Sequence, residues 1–147
     1  MYIFIEFTMK GSYLLVLEIK ENKIIRIGKL GKIVFNKGFY VYVGSALNGL
    51  EQRIQRHVRE SKKIHWHIDY LLQNAKIVSI FYKENEFKEE CIISKTLDGE
   101  LQPICGFGCS DCNCKSHLFH GTKKEVTNVI DKLRINTYHF EGKRLKP

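Results

Sequence analysis

No stretch of this 147-residue chain approaches the run of about 18 apolar residues that a membrane-spanning helix needs, which excludes that class. The opening Met1-Tyr2-Ile3-Phe4-Ile5-Glu6 has neither a basic leader nor a small-residue cleavage site. It reads as a strand rather than a signal peptide, and the expected location is cytoplasmic. Internal repeats, low-complexity tracts and linker-like stretches are also lacking. One domain over residues 1–140 is therefore expected, with a short tail at 141–147. Acidic residues are in deficit. Sixteen Asp and Glu stand against 24 Lys and Arg, and the net charge of +8 makes nucleic acid the first partner to expect. An even cysteine count is missing as well. The five cysteines are Cys91, Cys105, Cys109, Cys112 and Cys114. An odd number without a secretion signal argues against a disulfide framework. Four of them fall within ten residues, which points to a metal site or to reactive thiols.

What is present is a succession of strand-type and helix-type segments. Residues 1–8 and 11–20 have the β-branched and aromatic content of strands. Residues 23–27 and 32–35 alternate charged and apolar side chains around Gly28 and Gly31, as an inserted β-hairpin would. The run Phe39-Tyr40-Val41-Tyr42-Val43 is apolar enough for a central strand. A helix is expected from residues 48–50, with Leu50, Ile54 and Val58 as its buried stripe and Arg53 and His57 at the stripe's edge. Further helices are expected at 67–73 and 86–97, with Trp66 buried, and a strand at 77–82. Thr122 and Glu125 form a capping box that opens a last helix facing inward through Val126, Val129, Ile130 and Leu133. The fold class is α/β in the α+β sense. It comprises a small, mostly antiparallel central sheet flanked by three or four helices, with the hairpin inserted.

The most informative stretch is the junction Tyr42-Val43-Gly44-Ser45-Ala46 and the helix after it. It places a phenol, the Arg53 guanidinium and the His57 imidazole near one glycine turn, a set suited to chemistry on a phosphodiester. Arg53, Arg56, His57, Arg59, Lys62, Lys63, His65 and His67 fall within fifteen residues, a local basic stripe of the kind that contacts phosphates. Asp69 is expected to pair with Arg56 or Arg59 and to cap the helix beside it, in preference to joining His65 and His67 around a metal. Cys109-x-x-Cys112-x-Cys114-x-x-His117 has the ligand types of a structural Zn2+ site. The alternative is a loop of structural thiols packed on the active face, with Ser110, Asp111 and His117 near a phosphate.

Taken in order, these motifs resemble the GIY-YIG nuclease superfamily over about residues 11–119. Gly11-Ser12-Tyr13 resembles its first strand element and Tyr42-Val43-Gly44 its second. Leu50-x-x-Arg53-Ile54-x-x-His57 resembles its arginine helix, and Glu90 falls where a later helix carries a glutamate. The chain is most similar to a branch whose members occur alone or fused to base-excision repair enzymes. The marks of that branch here are His65-Trp66-His67-Ile68-Asp69-Tyr70-Leu71, Glu90-Cys91 and Gly106-Phe107-Gly108-Cys109. The resemblance implies a metal-dependent endonuclease acting on DNA in repair or processing, with RNA as another substrate to weigh. It implies that Tyr42, assisted by Tyr13, activates water, that Arg53 holds the developing charge and that His57 assists. Glu90 would bind Mg2+ or Mn2+. Gly44, Ser45, Arg56, Arg59, Lys62, Lys63, His65 and His67 would contact the nucleic acid. For the asparagine that the family carries after its glutamate helix, the nearest counterparts are Gln102 and Asn113. The rival expectation is a nucleic-acid-binding module without catalysis, stabilised by zinc.

Overall fold

The computed structural model describes residues 9–109 and 112–140. The strand expected at 1–8, the tail at 141–147, Ser110 and Asp111 lie outside them. The elements in order are β1 Gly11–Ile19, β2 Lys23–Arg26, a 3-10 turn Gly28–Leu30, β3 Lys32–Phe35, β4 Gly38–Ala46, α1 Leu50–Val58 and α2 His67–Leu72. They continue with β5 Lys76–Glu84, α3 Glu90–Asp98, β6 Gln102–Pro103, β7 Leu118–Gly121, α4 Lys123–Leu133 and β8 Asn136–Tyr138.

Six strands form one sheet in the order β6-β7-β4-β1-β5-β8, and each pairing is antiparallel. The apolar β4 is central, as its composition requires. The pair β2–β3 makes a separate two-stranded sheet, the inserted hairpin. Side chains alternate across β1 and β4, and the two faces receive different layers. Tyr13, Leu15, Leu17, Tyr40 and Tyr42 face α1, α2, the hairpin and Phe107. Leu14, Val16, Val41 and Val43 face α3, α4 and Phe119. Each fully buried Leu or Ile in these layers contributes about 1.5–3 kcal/mol.

Local signals set the helix bounds with one exception. The Thr122 side chain accepts from the Glu125 N–H, and Glu125 accepts in return from the Thr122 N–H, so α4 starts where its capping box predicts. The exception is α3, which begins at Glu90, four residues later than the sequence suggests. Glu89 takes the N-cap position and its carboxylate pairs with Lys83 at 2.9 Å, so the polar residues before it stay outside the helix. The short strands β6, β7 and β8 were not anticipated as such. Each has two to four residues, too few to show a periodicity.

Candidate functional site

β1 and β4 run side by side with Tyr13 opposite Gly44. Tyr13 lies across this glycine, and a methyl group added at Gly44 would overlap its ring. Here the glycine is needed for close approach and not for its backbone angles. Gly44→Ala should therefore displace Tyr13 and lower stability by about 1–3 kcal/mol. Urea unfolding at neutral pH measures this, and an unchanged midpoint would refute the close fit.

At this end of the sheet a cleft of about 430 Å³ opens. Its walls come from β1, β4, α1, α3, the start of α2 and the loop before β7. Tyr13, Tyr42, Arg53 and Glu90 all line it, together with Gly44, Ser45, His65 and His67. Trp66, Lys88, Gly108 and His117 complete most of the remaining wall.

Arg53 reaches the Tyr13 hydroxyl and is held by two further contacts. Its guanidinium donates to the Ser45 carbonyl at 3.1 Å and lies 4.6 Å from the centre of the Trp66 ring. Arg56 lies 4.4 Å from the same ring. Trp66 is only half-buried, contrary to the expected burial, because it serves as a platform for these two cations at the cleft wall.

His57 departs from expectation in the opposite sense. The helix angle puts it at the edge of the stripe, yet it is buried, with its Nε2 2.6 Å from the Tyr13 hydroxyl. Tyr13, Tyr42 and Trp66 surround it, so α2 and the sheet cover what α1 alone would leave half open. Its Nδ1 has no hydrogen-bond partner. Burial lowers its pKa to about 3, against the weaker opposing pull of Asp69. His57 is thus a neutral support behind Tyr13, outside the cleft wall. An unfolded histidine titrates near 6.5. Between these two values the unfolded chain binds a proton that the folded chain refuses, so stability falls as pH drops through that window. The expected slope is about 1.4 kcal/mol per pH unit from this group. Chemical denaturation at pH 7.5 and pH 5 should show it for the wild type and much less for His57→Gln. Equal pH sensitivity in the two would refute it.

Burial also acts on the phenols. It raises Tyr13 and Tyr42 well above the ordinary tyrosine value, helped by the Glu90 charge and outweighing Arg53. The resemblance implies that Tyr42 activates water, with Arg53 and a metal ion drawing it toward phenolate; Arg53 alone does not offset the burial, and both hydroxyls stay protonated at neutral pH. Tyr40, on the same sheet face, is occupied elsewhere, donating to the Asn36 carbonyl at 2.6 Å.

The two adjacent glutamates diverge. Glu89 pairs with Lys83, whereas Glu90 lines the cleft and lies 3.5 Å from the Lys88 ammonium. Neither Gln102 nor Asn113 lines it, and both are exposed.

The basic stripe does not survive as one surface. Arg56 donates both guanidinium arms to Asp69, each at 2.9 Å, and the Asp69 carboxylate is fully buried. Asp69 also accepts from the His65 and Trp66 N–H groups at 2.8 and 2.9 Å, capping α2 as expected. Burial pushes its pKa up, but Arg56 and the two amides outweigh this and hold it below the usual value. Lys62 closes the end of α1 by donating to the Arg56, His57 and Arg59 carbonyls. Arg59 and Lys63 are exposed and lie outside the cleft wall. His67 is held from the loop side, where its Nδ1 accepts from the Gly108 N–H at 2.9 Å. Burial lowers its pKa, and with Nδ1 accepting, the neutral ring carries its proton on Nε2.

A Cys3His cluster adjoins the cleft. The ligand atoms of Cys91, Cys112, Cys114 and His117 lie within 4.8 Å of one another. This set can hold a metal ion, and its thiols and imidazole have the chemistry of a closed structural site. It differs from the four residues that the sequence spacing suggests. Cys109 stands outside the group, with its thiol directed to the Lys115 carbonyl at 3.7 Å. Cys91, in the first turn of α3, takes its place. Its separation in sequence from the other three hid it, and its position next to Glu90 was the signal available. Among the described residues, which include all five cysteines, no disulfide forms. No helix among them is long and apolar enough to cross a membrane.

The profile of a family described as Domain of unknown function DUF123 matches residues 12–137. The chain belongs to this family. Searches of curated proteins and of solved structures gave no match.

Proposed function

We propose that the protein is a metal-dependent endonuclease that hydrolyses phosphodiester bonds in DNA, in repair or processing, within the cytoplasm. The observation that supports this reading is the convergence of Tyr13, Tyr42, Arg53 and Glu90 on one cleft, from four separate elements. Arg53 would grip two oxygens of the phosphate and hold the charge that grows there in the transition state. Its contacts with Ser45 and Trp66 fix the fork before substrate arrives. The protonated hydroxyls of Tyr13 and Tyr42 would orient the phosphate and the attacking water. Tyr42 becomes a proton acceptor only when added positive charge offsets its burial. His57 would keep the Tyr13 hydroxyl in place. Among the described residues Glu90 is the one carboxylate lining the cleft, and a single carboxylate fits Mg2+ or Mn2+ when substrate oxygens complete the shell. The ion would supply charge to neutralise the departing 3′ oxygen.

A second reading is a nucleic-acid-binding module, on DNA or RNA, whose fold is stabilised by Zn2+ in the Cys3His cluster. The high pKa of both phenols and the exposed positions of Gln102 and Asn113 favour it. One experiment separates the two. Purified protein is incubated with labelled branched, nicked and single-stranded DNA, and with RNA, in Mg2+, Mn2+ or chelator. Products that depend on the divalent ion support the endonuclease. Salt-sensitive binding without products moves the assignment to the binding module. Neither binding nor products would refute both.

A further inference from the structure

The geometry points to a role for the Cys3His centre that none of the expectations above includes. We infer that Zn2+ bound by Cys91, Cys112, Cys114 and His117 fastens the start of α3 to the loop before β7, and so sets two walls of the cleft. The inference rests on the zinc proposed for this cluster. It does not depend on whether the cleft cuts nucleic acid.

The four ligands come from only two pieces of chain. Cys91 is on the first turn of α3, one residue after Glu90. Cys112, Cys114 and His117 belong to the loop. That first turn has no side-chain cap, since Glu89 gives its carboxylate to Lys83. The loop, in contrast, is tied to itself and to the sheet. Gly106 N–H donates to the Lys115 carbonyl, His117 N–H to the Phe107 carbonyl, and Val43 N–H to the His117 carbonyl, at 2.8–2.9 Å. A metal ion would join this uncapped turn to the tied loop.

The ligand atoms are close enough for one tetrahedral ion. The Nε2 of His117 lies 3.5 Å from the Cys112 sulfur and 3.9 Å from the Cys91 sulfur. Four protein ligands with three thiolates make a closed site that favours Zn2+ over Mg2+ or Mn2+. Both walls of the cleft follow from this clasp. On one side Cys91 fixes the backbone that carries Glu90. On the other the loop holds Gly108, whose N–H orients His67 next to Trp66. Trp66 is the only tryptophan in the chain and lines the cleft, so it reports on that wall directly.

The test measures metal and wall together. Zinc is counted by mass spectrometry in the wild type and in Cys91→Ser, Cys105→Ser and Cys109→Ser. About one zinc per chain is expected in the wild type and in the last two variants, with near-complete loss in Cys91→Ser. Because Cys91→Ser could fail to fold, the wild type is also treated with a strong chelator and then with added Zn2+. Trp66 fluorescence and far-UV circular dichroism are recorded throughout. A reversible change of Trp66 emission with helical signal retained supports the clasp. A wild type without bound zinc would overturn both the zinc and the clasp. So would zinc that needs Cys109 and not Cys91. Zinc release that leaves Trp66 unchanged, or that unfolds the whole chain, would overturn the clasp alone.

Discussion

Arg53→Ala is expected to lower the rate of the proposed metal-dependent cleavage by about 100- to 1000-fold, the usual loss when one preorganised donor to a developing charge is removed. Stability should fall only modestly, leaving the fold intact. The side chain is half-exposed, and it gives up one hydrogen bond to Ser45 and one ring contact with Trp66, together about 1–2 kcal/mol. Arg53→Lys is the sharper variant. It keeps the charge and loses the two-armed grip, so it should recover little of the rate. Glu90→Ala should fall in parallel, because the described residues of the cleft wall include no other carboxylate. Single-turnover rates on one DNA substrate, with melting curves beside them, read both effects. Wild-type rates in the Arg53 and Glu90 variants together would remove this cleft as the site of cleavage.

Asp69→Ala is expected to cost about 3–5 kcal/mol. Its buried carboxylate receives both arms of Arg56 and two backbone amides. Alanine would leave those two amides and one cation without their acceptor. For a domain of this size each kcal/mol shifts the melting temperature by about 2–4 °C, so a fall of about 10 °C should be seen. Arg56→Ala should fall by less, since its side chain is partly exposed and the carboxylate keeps the two amides. A coupling energy near zero in the double variant would show that the pair acts independently. The damage should also reach the cleft, because the same carboxylate fixes the backbone of His65 and Trp66.

Much of this arrangement could be read from the sequence, wherever the signal was local. The alternation in β1 and β4, the stripe Leu50 and Ile54, and the Thr122–Glu125 box each act within a few residues. The pairing of Asp69 was legible as far as Arg56 or Arg59, since opposite charges flank one short connection, and the fold selects Arg56. The failures share a cause. Burial of His57 depends on α2 and on two tyrosines from other strands, so the face of α1 alone misplaced it. The separation of Arg56 and Lys62 from the cleft depends on which acceptors the fold brings near them. Cys91 joins its three partners only through packing of α3 against the loop. Charge clustering in sequence marked a basic segment but could not say which of its members face the cleft.

The order of the strands bears on how the protein is made. β4 has β1 on one side, already synthesised, and β7 on the other, contributed by the last third of the chain. Val43, in β4 beside the cleft, has its N–H satisfied by His117. A nascent chain that has emerged only as far as α2 can therefore form the β1–β4 ribbon and α1 while lacking half of the cleft. Arg53 would exist in that intermediate without Glu90, Gly108 or His117. The cleft is therefore complete only once β7 has left the ribosome.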